Sequence, residues 1–308
     1  MLSTISPAGQ QFVNSINNAQ ARLALAQQQI STGLKVSQPS DAPDEISPIL
    51  QLHSAIQQNT DIQNGLNTVM TSLKASDDAL SSAINLLQSA AVAATQGASS
   101  TQTADTRATL AQTVQTLMEQ MVAASGTTVS GRYVFSGNQD GTPLYQLNLD
   151  ATNGVDRLQV ATATSLVQGI GARYAGSLSG NAIFDPRNPD DTPAAGNTFA
   201  ALNGLRVALL ANDTTGIANS VAAINSASTY MNSQLAFYGQ TEDRVSADLN
   251  QAQSHKLQLQ TELSGKTDAD MTEAVTALTL GTTQLQTALA ARAKMPNTSL
   301  FDVLPVSG

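Results

Sequence analysis

Near the start of the chain, apolar residues fall at Phe12, Ile16, Ala19, Leu23, Ala26 and Ile30. Spacings that alternate between four and three put them on one stripe of a helix, the a/d pattern of a coiled-coil seam. The pattern predicts a helix over residues 10–32. Gly33 ends it, because glycine takes left-handed backbone without steric penalty. Pro39 and Pro43 follow, with Asp41, Asp44 and Glu45 around them. A second helix begins either with Ser47 as N-cap and Pro48 at its first position, or earlier, near Asp41. In it Leu66, Met70, Leu73, Leu80, Ile84, Leu87, Ala91 and Ala94 keep one heptad phase, broken by Asp77. Extended backward, the phase meets Leu52 and Ile56, then polar Asn59 and Gln63. Residues 48–97 would make a rod of about 75 Å at 1.5 Å per residue. A third helix carries Leu110, Val114, Leu117 and Met121 and stops at Gly126.

The texture changes at Gly131. Aromatics, glycines and an Asp140–Gly141 turn signal appear, and Tyr145, Leu147 and Leu149 alternate as a half-buried strand does. Asn153–Gly154 marks another turn, Leu158 and Val160 alternate again, and Pro186, Pro189 and Pro193 crowd one loop. Residues 137–197 therefore read as a small β-rich insert. Helix returns near Thr198. A second long rod, residues 215–264, has Ile217, Ile224, Met231, Tyr238, Val245, Ala252 and Leu259 at one heptad position. Val221, Leu235, Leu249 and Leu263 hold the other, broken by Ser228, Glu242 and Lys256, and Gly265 ends the rod. A last helix carries Met271, Val275, Leu278, Leu285 and Leu289, closed by Pro296.

The expected fold is mainly α: long antiparallel helical rods, coiled-coil terminal helices and a small β-rich inserted domain. Residues 1–43 with 266–308 would form the terminal domain, 44–136 with 198–265 the rods, and 137–197 the insert. The terminal helices have few large knobs, and two such helices alone are marginal in water. Their seams serve either as intramolecular core or as contacts between copies. Poor self-sufficiency favours contacts, at Phe12, Ile16, Leu23, Ile30, Met271, Val275, Leu278, Leu285 and Leu289.

Composition narrows the chemistry. Charged residues make up 12% of the 308 and the net charge is −9, against any phosphate-binding surface or anionic membrane. Aromatics are 4% and tryptophan is absent, which suits thin helical packing. Without cysteine there are no disulfides and no thiolate metal sites. The first residues show no cleavable secretory signal, and no apolar run is long enough to cross a bilayer.

His53 and His255 sit one on each rod without further ligands in register, so they read as surface or interface histidines. Asp185, Asp190 and Asp191 lack calcium-loop spacing and read as a solvated loop. Gly169, Gly171 and Gly176 miss the dinucleotide spacing, and "GSLSG" has Leu178 where a nucleophilic serine would stand. No catalytic, cofactor or metal site is expected. Asp77, Glu242 and Lys256 either control helix register or lie where the seam rotates outward. Asp44 and Glu45 read as favourable charges at a helix N-terminus.

One stretch is specific. "QISTGLKVSQPSDAP", residues 29–43, resembles the N-terminal segment of the flagellin superfamily, with its I-S-T/S-G-L/K-x-V/I core and acidic follow-up. Ser31, Gly33, Pro39 and Asp41 fall in it. The acidic "KTDADMTEAV" linker and last amphipathic helix are also flagellin-like. "SGRYVFSGNQDGTPLY", residues 130–145, resembles the NGRY-[LI]-F-[SA]-G motif of the hook–filament junction branch of that superfamily. Arg132, Tyr133, Phe135 and Gly137 carry it. "GNAIFDP" and the ending "SLFDVL" are similar to the same branch, whereas residues 151–170 match nothing recognisable.

The resemblance implies a structural, non-enzymatic part of the bacterial flagellum, without cofactor. Terminal helices would line a tube, rods form its shell and the insert face outward. The implied role is an adaptor ring between hook and filament. The implied partners are copies of itself, the first hook-associated protein, flagellin and a flagellar export chaperone, with no nucleic acid and no membrane insertion. Export would run through the flagellar type III channel, unfolded and without a cleaved signal, to an extracellular location. A flagellin filament subunit is the nearest alternative; a helical chaperone or binding module is one of another class.

Overall fold

The computed structural model describes residues 7–161, 166–168 and 173–293. In chain order it has α1 (Pro7–Thr32), α2 (Pro43–Ala98), α3 (Ala104–Ser125), β1 (Thr128–Val129), β2 (Arg132–Tyr133), β3 (Tyr145–Leu147), β4 (Val155–Arg157), β5 (Leu166–Gln168), β6 (Arg173–Ala175), α4 (Gly180–Phe184), α5 (Thr198–Leu210), α6 (Thr214–Thr267) and α7 (Met271–Ala293). The protein is mainly α, as the heptad pattern predicts. Its contacts divide into two compact units. One comprises the two ends of the chain, up to Gln57 and from Lys256; the other is Gln58–His255.

Helix ends follow local chemistry. Gly33 has φ +73°, and its N–H donates to the Gln29 carbonyl at 2.8 Å, closing α1 as expected. The earlier of the two expected starts holds for α2: Pro43, not Pro48, takes the first position, with Asp44 and Glu45 in the first turn. Pro48 lies inside the helix, at the cost of the one N–H it lacks. Thr103 caps α3, its hydroxyl accepting from the Thr106 N–H at 3.3 Å. Thr103→Ala is expected to lower stability by about 1 kcal/mol, read by chemical denaturation. The expected stop of α6 at Gly265 is not observed; the helix runs on to Thr267. Its last carbonyl accepts from the N–H groups of Lys35 (2.8 Å) and Val36 (3.3 Å), so the final turn is held from outside the helix.

The Gln58–His255 unit has the long-helix core. On α2, Leu66, Leu73, Leu80, Leu87 and Ala94 are buried at successive heptad positions. On α6, Ile217, Ile224, Met231, Tyr238 and Val245 are buried likewise. The two run antiparallel: Asn59 pairs with His255, Ser76 with Tyr238, and Gly97 lies near Ile217. Each large aliphatic side chain so buried contributes roughly 1.5–3 kcal/mol. α3 and α5 pack on each other and complete the core with Val114, Met118, Met121, Phe199, Leu202 and Leu205.

A buried arginine closes the end of α2. Arg107 is 5% exposed. Its Nε donates to the Gly97 carbonyl at 2.7 Å and its Nη2 to the Ser99 carbonyl at 3.0 Å. Its Nη1 donates to Asn212 Oδ1, in the turn between α5 and α6.

Strand content is smaller than the alternation suggests. β1 and β2 form a hairpin ahead of residue 137, through a two-residue turn at Ser130 and Gly131 (φ +52° and +78°), the geometry that matches strand twist. β3 pairs with β4 and β5 with β6, all antiparallel and three residues long. Leu158 and Val160 fall outside a strand and are half exposed; Val155 is the buried residue of that arm. The turn forces this register. Gly154 has φ +77°, and a Cβ there would stand 2.3 Å from Met118 Cε, so the β3–β4 hairpin lies tight on α3.

Candidate assembly surfaces

In the unit made from the chain ends, α1 and α7 pack against each other. They run antiparallel: Leu23 Cδ1 faces Gly281, and the Arg292 guanidinium sits 5.8 Å over the Phe12 ring. Among the residues whose burial is described, only small ones are fully buried between them, Ala26, Ala274 and Gly281. Phe12, Ile16, Leu23, Ile30, Leu278 and Leu285 are half-buried. Met271, Val275 and Leu289 are exposed, at 45%, 49% and 54%, instead of facing α1. Val13, Leu25 and Leu280 also stand in solvent.

The "STGLKVSQPSD" stretch ties this unit together. Leu34 bridges Asp268 in antiparallel sense, and the Ala269 N–H donates to the Gly33 carbonyl at 2.9 Å. Asp41 holds the following turn: its Oδ2 accepts from the Ser37 N–H (2.9 Å) and the Gln38 N–H (2.8 Å). Those N–H groups hold its carboxyl below the usual range, Gln38 first and then Ser37. Lys266 Nζ meets Glu45 Oε2 at 2.8 Å, which lowers the Glu45 carboxyl. Asp270 caps α7, accepting from Thr272 and Glu273. Ser31 and Pro39 are exposed. An apolar cleft of about 290 Å³ opens among Leu34, Val36, Pro39, Ile49, His53 and Leu263.

In the Gln58–His255 unit, the "GRYVFSG" residues separate by depth. Arg132 is exposed and pairs with Asp140 at 3.2 Å. Tyr133 is half-buried, its N–H donating to the Asp140 carbonyl at 2.8 Å. Phe135 is fully buried, its ring edge-on to Phe184 (5.3 Å) and Tyr238 (6.4 Å). Gly137 turns the chain at φ +56°. The Phe135 carbonyl accepts from the Gly180 N–H at 2.8 Å, and a Cβ on Gly180 would stand 3.0 Å from Phe135 Cβ. So "GRYVFSG" and "GNAIF" lock together. Tyr238 completes the lock, its hydroxyl accepting from the Leu178 N–H at 3.2 Å; burial pushes that phenol up to about 12.

Asp185 does not sit in a solvated loop: its side chain is fully buried. It accepts from Arg157 and from Arg187 (3.2 Å), and Asn197 Nδ2 donates to it. A carboxylate faced by two guanidiniums has no capacity left for a cation. Asp190 and Asp191 are exposed as expected. His255 Nδ1 lies 3.2 Å from Asn59 Nδ2 between α2 and α6, whereas His53 lines the cleft described above. Among the described residues no group of three or more His, Cys, Asp or Glu side chains is placed to hold a metal, and no helix is long and apolar enough to cross a membrane. Pro296, the "SLFDVL" ending, Gly169 and Gly171 lie outside the described residues.

Comparison with known proteins matches residues 6–140 to the N-terminal helical region of bacterial flagellin and residues 221–304 to its C-terminal helical region. The chain belongs to the flagellin family. It is 26% identical over 309 residues to flagellar hook-associated protein 3 of Escherichia coli, covering 96% of each chain. It is 24% identical over 315 residues to the protein of the same name from Salmonella typhimurium, again over 96% of each. Its fold is that of a putative flagellar hook-associated protein from Vibrio parahaemolyticus (TM-score 0.64, 14% identity, 74% of this chain and 100% of that one). Flagellar hook associated protein-3 from Legionella pneumophila has the same fold (TM-score 0.60, 15% identity, 70% of this chain and 98% of that one).

This flagellin-family chain is a component of the bacterial flagellum and a structural protein, not an enzyme. The first matched region takes in α1 and the whole of α2, the second most of α6 and the whole of α7. Sequence reasoning missed Val13, Leu25 and Leu280, because they lie off the a/d stripe that it followed. It also missed Arg107 and the Asp185 network, since charged residues inside a core leave no periodic trace.

Proposed function

We propose that this flagellin-family protein is the adaptor between hook and filament, working as a ring of identical copies. The observation that carries the reading is the α1–α7 pair, which among its described residues fully buries only small ones and leaves Val13, Leu25, Met271, Val275, Leu280 and Leu289 in water. Apolar side chains in that number mark a surface that other chains cover. Phe12, Ile16, Leu23, Ile30, Leu278 and Leu285 form the inner part of the same surface. End-to-end similarity to proteins named flagellar hook-associated protein 3 supports the place of the ring. Its neighbours are then the first hook-associated protein on one side and flagellin on the other. The chain travels unfolded through the flagellar export channel with a dedicated chaperone, needs no cleaved signal, and orders its ends on assembly outside the cell.

Deleting the gene is expected to leave hooks without filaments and unpolymerised flagellin in the medium. Normal hooks bearing filaments would refute the adaptor role. Val275→Glu separates assembly from folding. Val275 is 49% exposed, so the isolated chain should keep its stability within about 0.5 kcal/mol while the cells lose motility. A motile Val275→Glu strain would remove this surface from the interface. A filament subunit differs in one respect: the purified chain would grow long filaments from seeds, whereas an adaptor stops at a ring or short cap.

A further inference from the structure

Two carboxylates interrupt the apolar seam where α2 and α6 cross. Asp77 stands in the stripe of Met70, Ile84 and Ala91, and Glu242 in the stripe of Leu235 and Leu249. Both are half-buried, neither turned out to solvent. Glu242 Oε1 is shut off from water and has no hydrogen-bond partner. Antiparallel pairing places Ser76 against Tyr238, one turn away, so Asp77 and Glu242 share the same crossing. From α2 the groups facing Glu242 are Lys74, Asp77 and Asp78; on α6 the neighbour is Asp243. Arg244 is engaged elsewhere, its guanidinium 4.1 Å over the Tyr174 ring of β6, and Asp248 accepts from the Tyr174 hydroxyl at 3.1 Å. Tyr238, on the buried side, is bonded to Leu178. One lysine therefore stands among four carboxylates.

A buried carboxylate oxygen without a donor has lost hydration and gained nothing in return. A second carboxylate opposite adds repulsion. We propose that the Asp77–Glu242 crossing is a proton-controlled loosening point in the long-helix pair: it closes when the pair holds a proton and loosens when both groups are ionised. Burial raises both carboxyls above their usual range, and the charge of Asp77 raises Glu242 further, with Lys74 in opposition. Because the folded values are raised, the penalty is fully present at neutral pH. It is relieved as pH falls toward the ordinary glutamate value of 4.5. Asp41, Glu45, Asp190 and Asp268 are shifted the other way, and what they contribute is lost only as pH falls through their lowered values. Between pH 7.5 and 5 the crossing sets the direction among the carboxylates.

The test uses the full chain, melted by circular dichroism at constant ionic strength from pH 7.5 to 5. The wild type should gain roughly 2–4 °C in Tm over that range. Glu242→Gln and Asp77→Asn keep side-chain size and remove charge. Each should raise Tm at pH 7.5 and flatten the pH dependence, the double variant most. Relative to the intrinsic rate at each pH, hydrogen-exchange protection of the amides around residues 73–80 and 238–245 should rise on acidification more than in the rest of the long helices. A wild type with no such gain, a variant that lowers Tm at pH 7.5, or variants with the full wild-type slope would each overturn the proposal.

Discussion

Phe135→Ala is expected to cost about 3–5 kcal/mol. The ring is inaccessible to solvent and lies edge-on to Phe184 and Tyr238. Removing it deletes two aromatic contacts and leaves a cavity that Gly180, held to the Phe135 carbonyl at 2.8 Å, has no side chain to fill. The surroundings relax little, because Tyr238 is itself fixed through Leu178. The chain has no tryptophan, so tyrosine emission during urea unfolding is the natural probe. Phe135→Leu should recover most of the loss. Equal losses for Ala and Leu would mean that ring geometry, not volume, matters at this position.

Arg107→Ala is expected to lower stability by about 2–4 kcal/mol. Three acceptors lose a charged donor together: the carbonyls of Gly97 and Ser99 and the Asn212 side chain. The Gly97 carbonyl lies in the last turn of α2, where no helical N–H remains to satisfy it, whereas the Ser99 carbonyl, just past the helix, keeps the Gln102 N–H at 3.2 Å. The Asn212 contact steadies a residue at φ +55° where α5 turns into α6. One guanidinium therefore joins the ends of two connections. Arg107→Lys keeps the charge but not the fork, and should recover only part of the loss. Full recovery by lysine would show that charge alone suffices. Melting temperature with each variant at one pH reads both effects.

The long rods were legible because their signal is repetitive. Leu66, Leu73, Leu80, Leu87 and Ala94 recur every seven residues, as do Ile217, Ile224, Met231, Tyr238 and Val245, and all ten are buried. A periodic stripe averages over local exceptions, so Asp77 and Glu242 did not hide it. The boundaries were weaker. Pro43 and Pro48 are equally acceptable first residues by propensity, and the structure favours Pro43, with Asp44 and Glu45 in the first turn. Gly265 looked like a stop, yet α6 runs through it because Lys35 and Val36 hold the carbonyl of Thr267 from a segment far away in sequence.

The candidate surfaces divide in the same way. The inner stripe of α1 and α7, from Phe12 to Ile30 and through Leu278 and Leu285, was legible as an a/d seam. That Met271, Val275 and Leu289 would face water depends on how the pair rotates, and small residues set that rotation: Ala26, Ala274 and Gly281 let the axes approach on one side only. In the insert, "GRYVFSG" and "GNAIF" were each recognisable, but nothing local tells that Gly180 packs against Phe135.

By itself the sequence determined the helical class, the order of long and short helices, the family and the absence of cysteine chemistry, since each depends on residue type or spacing along the chain. Only the tertiary structure decided which charges go inside. Arg107 and Asp185 are tolerated there because carbonyls, amides and guanidiniums from distant segments converge on them, and Glu242 Oε1 is unsatisfied because none does. A buried charge is stable or costly according to partners brought from elsewhere, and those partners exist only once the chain has folded.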